Sequence, residues 1–128
     1  MDCFCLQEWI TLKGGSGVLS INQGEIGWID LAGYQDVVAW LDVREYSNGA
    51  TNVTYQTAPL KDESLFVNMA SVLLGSTGIT VTPLIKRAMP SATPPLGRWF
   101  RWNVHVGSGT WDITFRIWVA ANRIGGRQ

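Results

Sequence analysis

Residues 97–119 have the sequence GRWFRWNVHVGSGTWDITFRIWV, and this stretch decides the fold class. Apolar and polar side chains alternate on both sides of a glycine-rich turn at residues 107–110. Such alternation predicts β-strands that bury one face and leave the other outside. The predicted inward residues are Phe100, Trp102, Val104, Val106, Trp111, Ile113, Phe115, Ile117 and Val119.

The turn at 107–110 predicts that these two strands pair as a β-hairpin. The inward pairs would then be Val106–Trp111, Val104–Ile113 and Trp102–Phe115. The outward pairs would be His105–Asp112, Asn103–Thr114, Arg101–Arg116 and Trp99–Trp118. Three of the outward pairs are favourable by about 0.2–1 kcal/mol each. The Arg101–Arg116 pair is not, unless an acidic group of a neighbouring strand or another chain lies between the two guanidinium groups.

A second hairpin is predicted between residues 36–46 and 52–58, through a turn that contains Ser47-Asn48-Gly49. Pairing Val43 with Val53 and Leu41 with Tyr55 keeps both apolar sets on one side. Similar turn clusters recur about every ten residues along the chain, between segments rich in β-branched and aromatic residues. This spacing predicts an antiparallel sandwich or barrel.

Three segments differ from the strand pattern. After Asp62 and Glu63, residues 61–74 place apolar side chains at helical spacing, which favours a short helical turn over a turn followed by a strand. Residues 88–97 are rich in proline, including Pro94 and Pro95, and predict a long surface loop. Residues 1–16 are a candidate N-terminal arm.

Composition and charge exclude several classes of protein. The 128 residues include ten basic and ten acidic side chains, with 46% hydrophobic and 16% charged residues. We expect one folded domain over residues 1–128, because the chain is short and too apolar for disorder. A net charge of zero argues against a nucleic-acid partner. No apolar run is long enough for a transmembrane helix, and we expect no secretion signal, because no basic and apolar leader is present.

The charges are unevenly distributed along the chain. Residues 1–83 carry three basic and nine acidic side chains, a net charge of −6. Residues 84–128 carry seven basic side chains and one acidic, a net charge of +6. Such asymmetry indicates either a basic half that faces a partner or strands of the two halves that neutralise one another within one sandwich.

The sequence contains no recognisable catalytic constellation. Its single histidine, His105, has no serine or cysteine placed to act as its nucleophile. Cys3 and Cys5 are two potential ligands without supporting histidines, too few for a zinc site, and a reduced thiol pair is expected. Nucleotide-binding and protease motifs are absent from the sequence. We therefore expect no enzyme, no catalytic residues, no metal and no cofactor.

Seven tryptophans are the compositional outlier. The alternation places Trp102 and Trp111 in the core and three others on outward faces. Outward aromatic side chains can form a second core layer, a platform for stacking sugars or an anchor in a protein interface. The candidate interface residues are Trp40, Trp99, Arg101, Arg116, Trp118, Pro94 and Pro95.

Four stretches resemble known families: Gly27-Trp28-Ile29-Asp30-Leu31, Trp40-Leu41-Asp42-Val43-Arg44, Tyr55-Gln56-Thr57 and Gly97-Arg98-Trp99-Phe100-Arg101-Trp102. Their order is similar to galactose-binding-like and discoidin-like jelly rolls. Over residues 25–120, it also resembles small virion proteins of tailed bacteriophages. Discoidin-type loop cysteines and a calcium-site cluster have no match in this sequence, so no ligand residue is transferred from those families.

The resemblance implies an all-β fold, an antiparallel jelly-roll β-sandwich of about eight strands with at most one short helix. It further implies a capsid decoration or cement protein that is made in the host cytoplasm and located in the virion. The expected partners are the major capsid protein or other virion subunits, and copies of the same chain in a homo-oligomer. The alternative is a carbohydrate-binding β-sandwich module that binds a glycan with its exposed tryptophans.

Overall fold

The computed structural model describes residues 1–15, 17–85 and 96–123, which form a sandwich of two β-sheets. The strands are β1 Asp2–Gly14, β2 Ser20–Asn22, β3 Ile29–Asp30, β4 Tyr34–Tyr46, β5 Thr51–Ala58, β6 Val67–Leu73, β7 Gly78–Ile85, β8 Trp99–Val106 and β9 Trp111–Arg123. Two single turns of 3-10 helix are Glu25–Gly27 and Glu63–Leu65. Neither turn, and no other helix in the described ranges, is long and apolar enough to cross a membrane.

The strand order identifies the sandwich as a jelly roll. Sheet I has the order β1-β9-β4-β7, and sheet II has the order β2-β8-β5-β6. The short β3 pairs with β8 beyond the end of β2, so the two share one edge position. The antiparallel pairs are nested: β1 with β9, β2 and β3 with β8, β4 with β7, and β5 with β6. A long hairpin rolled into two sheets has this connectivity, and the predicted fold class is therefore confirmed.

Both predicted hairpins are wrong, because the two strands of each lie in different sheets. β4 and β9 belong to sheet I, whereas β5 and β8 belong to sheet II. The turns after β4 and β8 therefore carry the chain across the core instead of folding it back within one sheet. The observed register pairs are Val43–Phe115, Leu41–Ile117, Val53–Val104 and Tyr55–Trp102. Alternation specifies which face of a strand is buried, but it leaves the hydrogen-bonding partner open.

The buried faces predicted by alternation are confirmed. The side chains that alternation predicts to face inward on β4, β8 and β9 are at most 3% exposed. Trp102 and Phe115, predicted as register partners in one sheet, instead contact each other across the core, edge to face, with ring centroids 5.2 Å apart. Burying a large apolar side chain contributes about 1.5–3 kcal/mol, so these two inner faces supply the main stabilisation of the sandwich.

The three segments outside the strand pattern have different outcomes. Residues 61–74 form the helical turn Glu63–Leu65, begun by the Asp62 carboxylate, which accepts a hydrogen bond from the Ser64 N–H, and then β6. The segment thus contains both of the structures considered for it. Most of the candidate arm, residues 2–14, is the edge strand β1, paired with β9. Residues 88–95 of the predicted loop lie outside the described residues, and Pro94 and Pro95 with them.

Candidate functional site

The outer face of sheet I carries an exposed apolar row that crosses all four strands. Trp40 of β4 lies opposite both Trp118 of β9 and Val81 of β7, and Trp118 in turn lies opposite Cys5 of β1. The exposed fractions are 37% for Trp40, 41% for Trp118 and 50% for Val81. Ile79 extends the row along β7 and is 64% exposed. We call Trp40, Trp118, Val81, Ile79 and Cys5 the aromatic face.

Charged side chains border the aromatic face and are paired within the chain. The Arg116 guanidinium donates to Asp42 through Nε, at 3.2 Å from Oδ2. Arg116 and Arg44 also lie over the Trp9 ring, 4.8 and 4.2 Å from its centroid. An apolar centre with charged groups at its edge is the common arrangement of protein interfaces.

The predicted conflict between Arg101 and Arg116 does not occur. Arg116 is on sheet I, where it lies opposite Asp42, and Arg101 is on sheet II, where it lies opposite Gln56. The other outward pairs predicted between β8 and β9 are wrong for the same reason: Trp118 pairs with Trp40, and Trp99 pairs with Ala58. His105 pairs with Asn52, so Asp112 does not orient it.

Both cysteines are free thiols on β1: Cys5 belongs to the aromatic face, and Cys3 lies two residues before it. Burial raises the pKa of the Cys5 thiol, and the nearby Glu8 carboxylate raises it further. Since the thiolate is the reactive form, Cys5 is poorly reactive at neutral pH. Across the described ranges, no group of three or more His, Cys, Asp and Glu side chains is arranged to hold a metal ion.

The outer face of sheet II has the opposite chemistry and holds a polar groove of about 520 Å³. All four main strands of the sheet line it. β2 and β8 contribute Ser20, Asn22, Arg101, Asn103 and His105. β5 and β6 contribute Asn52, Thr54, Gln56, Asn68 and Ser71. Amide and hydroxyl groups therefore cover a surface whose counterpart on sheet I is aromatic and aliphatic.

Hydrogen bonds between neighbouring strands fix the side chains of the groove. Asn103 Nδ2 donates to Asn22 Oδ1 at 2.7 Å and to Ser20 Oγ at 2.9 Å. The hydroxyl groups of Thr54 and Ser71 are 2.8 Å apart. A further bond of 2.8 Å runs from Gln56 Nε2 to Asn68 Oδ1. These bonds order the groove before any ligand is present.

Arg101 forms one end of the groove and is only 4% exposed. Its Nε donates to Gln56 Oε1 at 2.7 Å, and its guanidinium lies 4.1 Å from the centroid of the Phe66 ring. The Nη1 atom is buried and has no hydrogen-bond partner. The nearest carboxylate oxygen, Glu63 Oε1, is 3.9 Å away on an exposed side chain. Burial lowers the pKa of Arg101, against the opposing charge of Glu63.

The structure thus divides the candidate interface residues between two surfaces. Trp40, Trp118 and Arg116 come together on sheet I. Trp99 lies on sheet II at the end of β8, where Lys61 and Arg98 lie over its ring, 5.0 and 5.6 Å from its centroid. The groove was not predicted from the sequence, although polar positions alternate with the buried ones in residues 52–56 and 101–105.

Comparisons with known proteins assign no role to either surface. The chain matches no protein-family model, and no curated protein matches it. The function is therefore argued from the two outer faces themselves.

Proposed function

We propose that this protein is a structural subunit that assembles with other protein subunits through its aromatic face. The observation that carries the proposal is the register pair Trp40–Trp118, two exposed tryptophans side by side on central strands of sheet I. Contiguous exposed apolar surface of this kind marks interaction sites in soluble proteins. The proposed role requires no catalysis, metal or cofactor.

Tryptophan and arginine also dominate the energetics of protein interfaces. Truncating a central tryptophan in an interface costs about 2 kcal/mol or more. Trp40 and Trp118 occupy the middle of the four-stranded sheet, and Arg116 lies beside them with its charge balanced by Asp42. A partner would therefore bury the two rings without leaving an uncompensated charge in the interface.

The setting that we propose is a phage virion, with the protein decorating the capsid. The resemblance described above supports this setting, together with the small size and the zero net charge, which favours association. The partners would be the major capsid protein or other virion subunits, and copies of this chain in a homo-oligomer.

The experiment is co-sedimentation with phage capsid shells assembled from purified major capsid protein, with light scattering for self-association. We expect wild type to bind and the double variant Trp40→Ser/Trp118→Ser to bind at least about a hundredfold more weakly. Leu60→Ser is the matched control, because Leu60 is 64% exposed and lies outside the aromatic face. Unchanged binding by the double variant would overturn the proposal.

A carbohydrate-binding module is the second candidate function. The observation that favours it is the polar groove, rather than the tryptophan platform expected from the sequence. A tryptophan platform would give a fluorescence change with glycans that is lost in the Trp40→Ser/Trp118→Ser variant. A site in the groove would still bind in that variant.

A further inference from the structure

We infer that the polar groove on sheet II binds a saccharide that carries a carboxylate, with Arg101 Nη1 donating to that carboxylate. The proposal uses only residues of sheet II and of the segments beside it. It is therefore independent of the assembly role proposed for the aromatic face.

Arg101 carries a buried donor that has no hydrogen-bond partner. Arg101 lines the groove and is more than nine-tenths buried, and its Nη1 is buried without a hydrogen-bond acceptor. Buried charged donors are nearly always paired in folded proteins, because leaving one unpaired is costly. Gln56 and the rings of Phe66 and Trp28 hold the guanidinium in place. The nearest carboxylate, that of Glu63, is a charge partner at 3.9 Å and does not satisfy the donor.

The charge of the groove favours an anionic ligand. Among the residues that the structure describes along it, Arg101 is the one permanent cation, and none is acidic. Glu63 is 69% exposed in its side chain and lies 3.9 Å from Nη1, beyond hydrogen-bond length. A ligand carboxylate that displaces the exposed Glu63 side chain would give Nη1 the hydrogen-bond acceptor that it lacks. A single cation is too little for a nucleic-acid backbone, which needs several phosphate contacts.

The other side chains that line the groove favour a saccharide. Ligand pockets are mostly apolar with a few polar groups, whereas amides and hydroxyls make up most of the lining of this groove. An apolar ligand would leave those groups without partners. A saccharide presents hydroxyl groups in many directions, and amides such as Asn52 and Asn68 offer a donor and an acceptor side by side. The volume of about 520 Å³ lies within the range of small-molecule sites.

Titration calorimetry with matched sugars tests the proposal. The probes are a galacturonate trisaccharide with the neutral galactose trisaccharide of the same linkage, and sialyllactose with lactose. We expect wild type to bind at least one acidic member at least tenfold more tightly than its neutral counterpart. Arg101→Gln should remove that preference. Arg98→Gln is the charge-matched control, because Arg98 is bonded to Asp30 outside the groove and should keep the preference.

A second variant keeps the test decisive if Arg101→Gln does not fold. Asn52→Asp is nearly isosteric at a half-buried position and places a carboxylate in the groove, so it should weaken acidic-sugar binding at least tenfold. Gln35→Glu adds the same charge at an exposed position on β4 and should have no effect. Wild type that binds no acidic sugar, or binds both members of each pair equally, would overturn the proposal. Because Trp40→Ser/Trp118→Ser should still bind the sugar, the two proposals can fail separately.

Discussion

The two outer faces of the sandwich are built from the same kind of strand, yet their side chains behave in opposite ways. On sheet I, the Trp40 and Trp118 rings lie exposed, and neither ring makes a hydrogen bond to another described residue, although Arg116 beside them is bonded to Asp42. On sheet II, the buried Asn103 is bonded across strands to the exposed Ser20 and Asn22. The aromatic face is therefore available to a partner. In the polar groove, by contrast, the side chains already hydrogen-bond to one another, and Arg101 Nη1 is left without an acceptor. This difference indicates that the aromatic face contributes little to folding and that the groove contributes both to folding and to binding.

The largest effect expected from this difference is on stability. Asn103→Ala removes the bonds from Nδ2 to Ser20 and Asn22, which tie β2 to sheet II, and should cost about 2 kcal/mol. Trp118→Ala should cost less than about 1 kcal/mol, because the ring is exposed in the free subunit. Urea unfolding of the two variants measures both values. A greater loss for Trp118→Ala would reverse the roles assigned to the two faces.

The next prediction concerns the core layer directly behind the groove. The Tyr55 hydroxyl is buried without a partner, so Tyr55→Phe should stabilise the fold by about 1 kcal/mol near neutral pH. Burial also raises the pKa of Tyr55 above its usual 10.0. Above pH 10 the unfolded phenol ionises while the folded one stays protonated, so wild type loses up to about 1.4 kcal/mol per pH unit.

Because Tyr55→Phe lacks this ionisation, its advantage should grow above pH 10. Thermal unfolding of both proteins between pH 7 and 11 gives the comparison. An equal or higher stability of wild type throughout that range would show that the hydroxyl has a partner.

The smallest expected effect is on the interaction energy between Arg101 and Arg116, which lie on different faces. Arg116→Ala should cost no more than about 1 kcal/mol, because its bond to Asp42 is partly exposed. In a double-mutant cycle with Arg101→Ala, the interaction energy should be below about 0.5 kcal/mol, since the two residues lie on opposite sheets. A measurable repulsion between them would instead support the hairpin that the sequence predicted.

The alternating pattern was sufficient to predict the faces of the strands and insufficient to predict their partners. In residues 99–119 every inward position was identified, and Trp102 and Phe115 do meet in the core. The pairing failed because a glycine turn such as 107–110 is compatible with a hairpin and equally with a crossing between sheets. Strand pairing in a jelly roll joins segments that are distant along the chain, such as β1 and β9, which no local signal specifies.

The candidate site was predicted only in part, for the same reason. Trp40 and Trp118 were identified as outward residues, and their meeting depended on the unpredicted pairing of β4 with β9. The groove was not predicted because its polar residues are scattered along the chain. They form one surface only when four strands lie side by side in sheet II. The position of the Arg101 guanidinium, which leaves Nη1 without a partner, is fixed by Phe66 and Gln56. These residues come from other parts of the chain, so no local sequence pattern predicts the unpaired donor.

Thiol footprinting tests the central claim, that the two faces have separate partners. Cys5 belongs to the aromatic face, and the exposed Cys3 lies two residues before it on β1. We measure the rate of iodoacetamide labelling at Cys3 in the free subunit and on capsid shells, with Asn52→Cys as a reporter in the groove. The account predicts that assembly slows labelling at Cys3 at least tenfold and leaves labelling in the groove unchanged. Protection of the groove, with Cys3 still freely labelled, would contradict it.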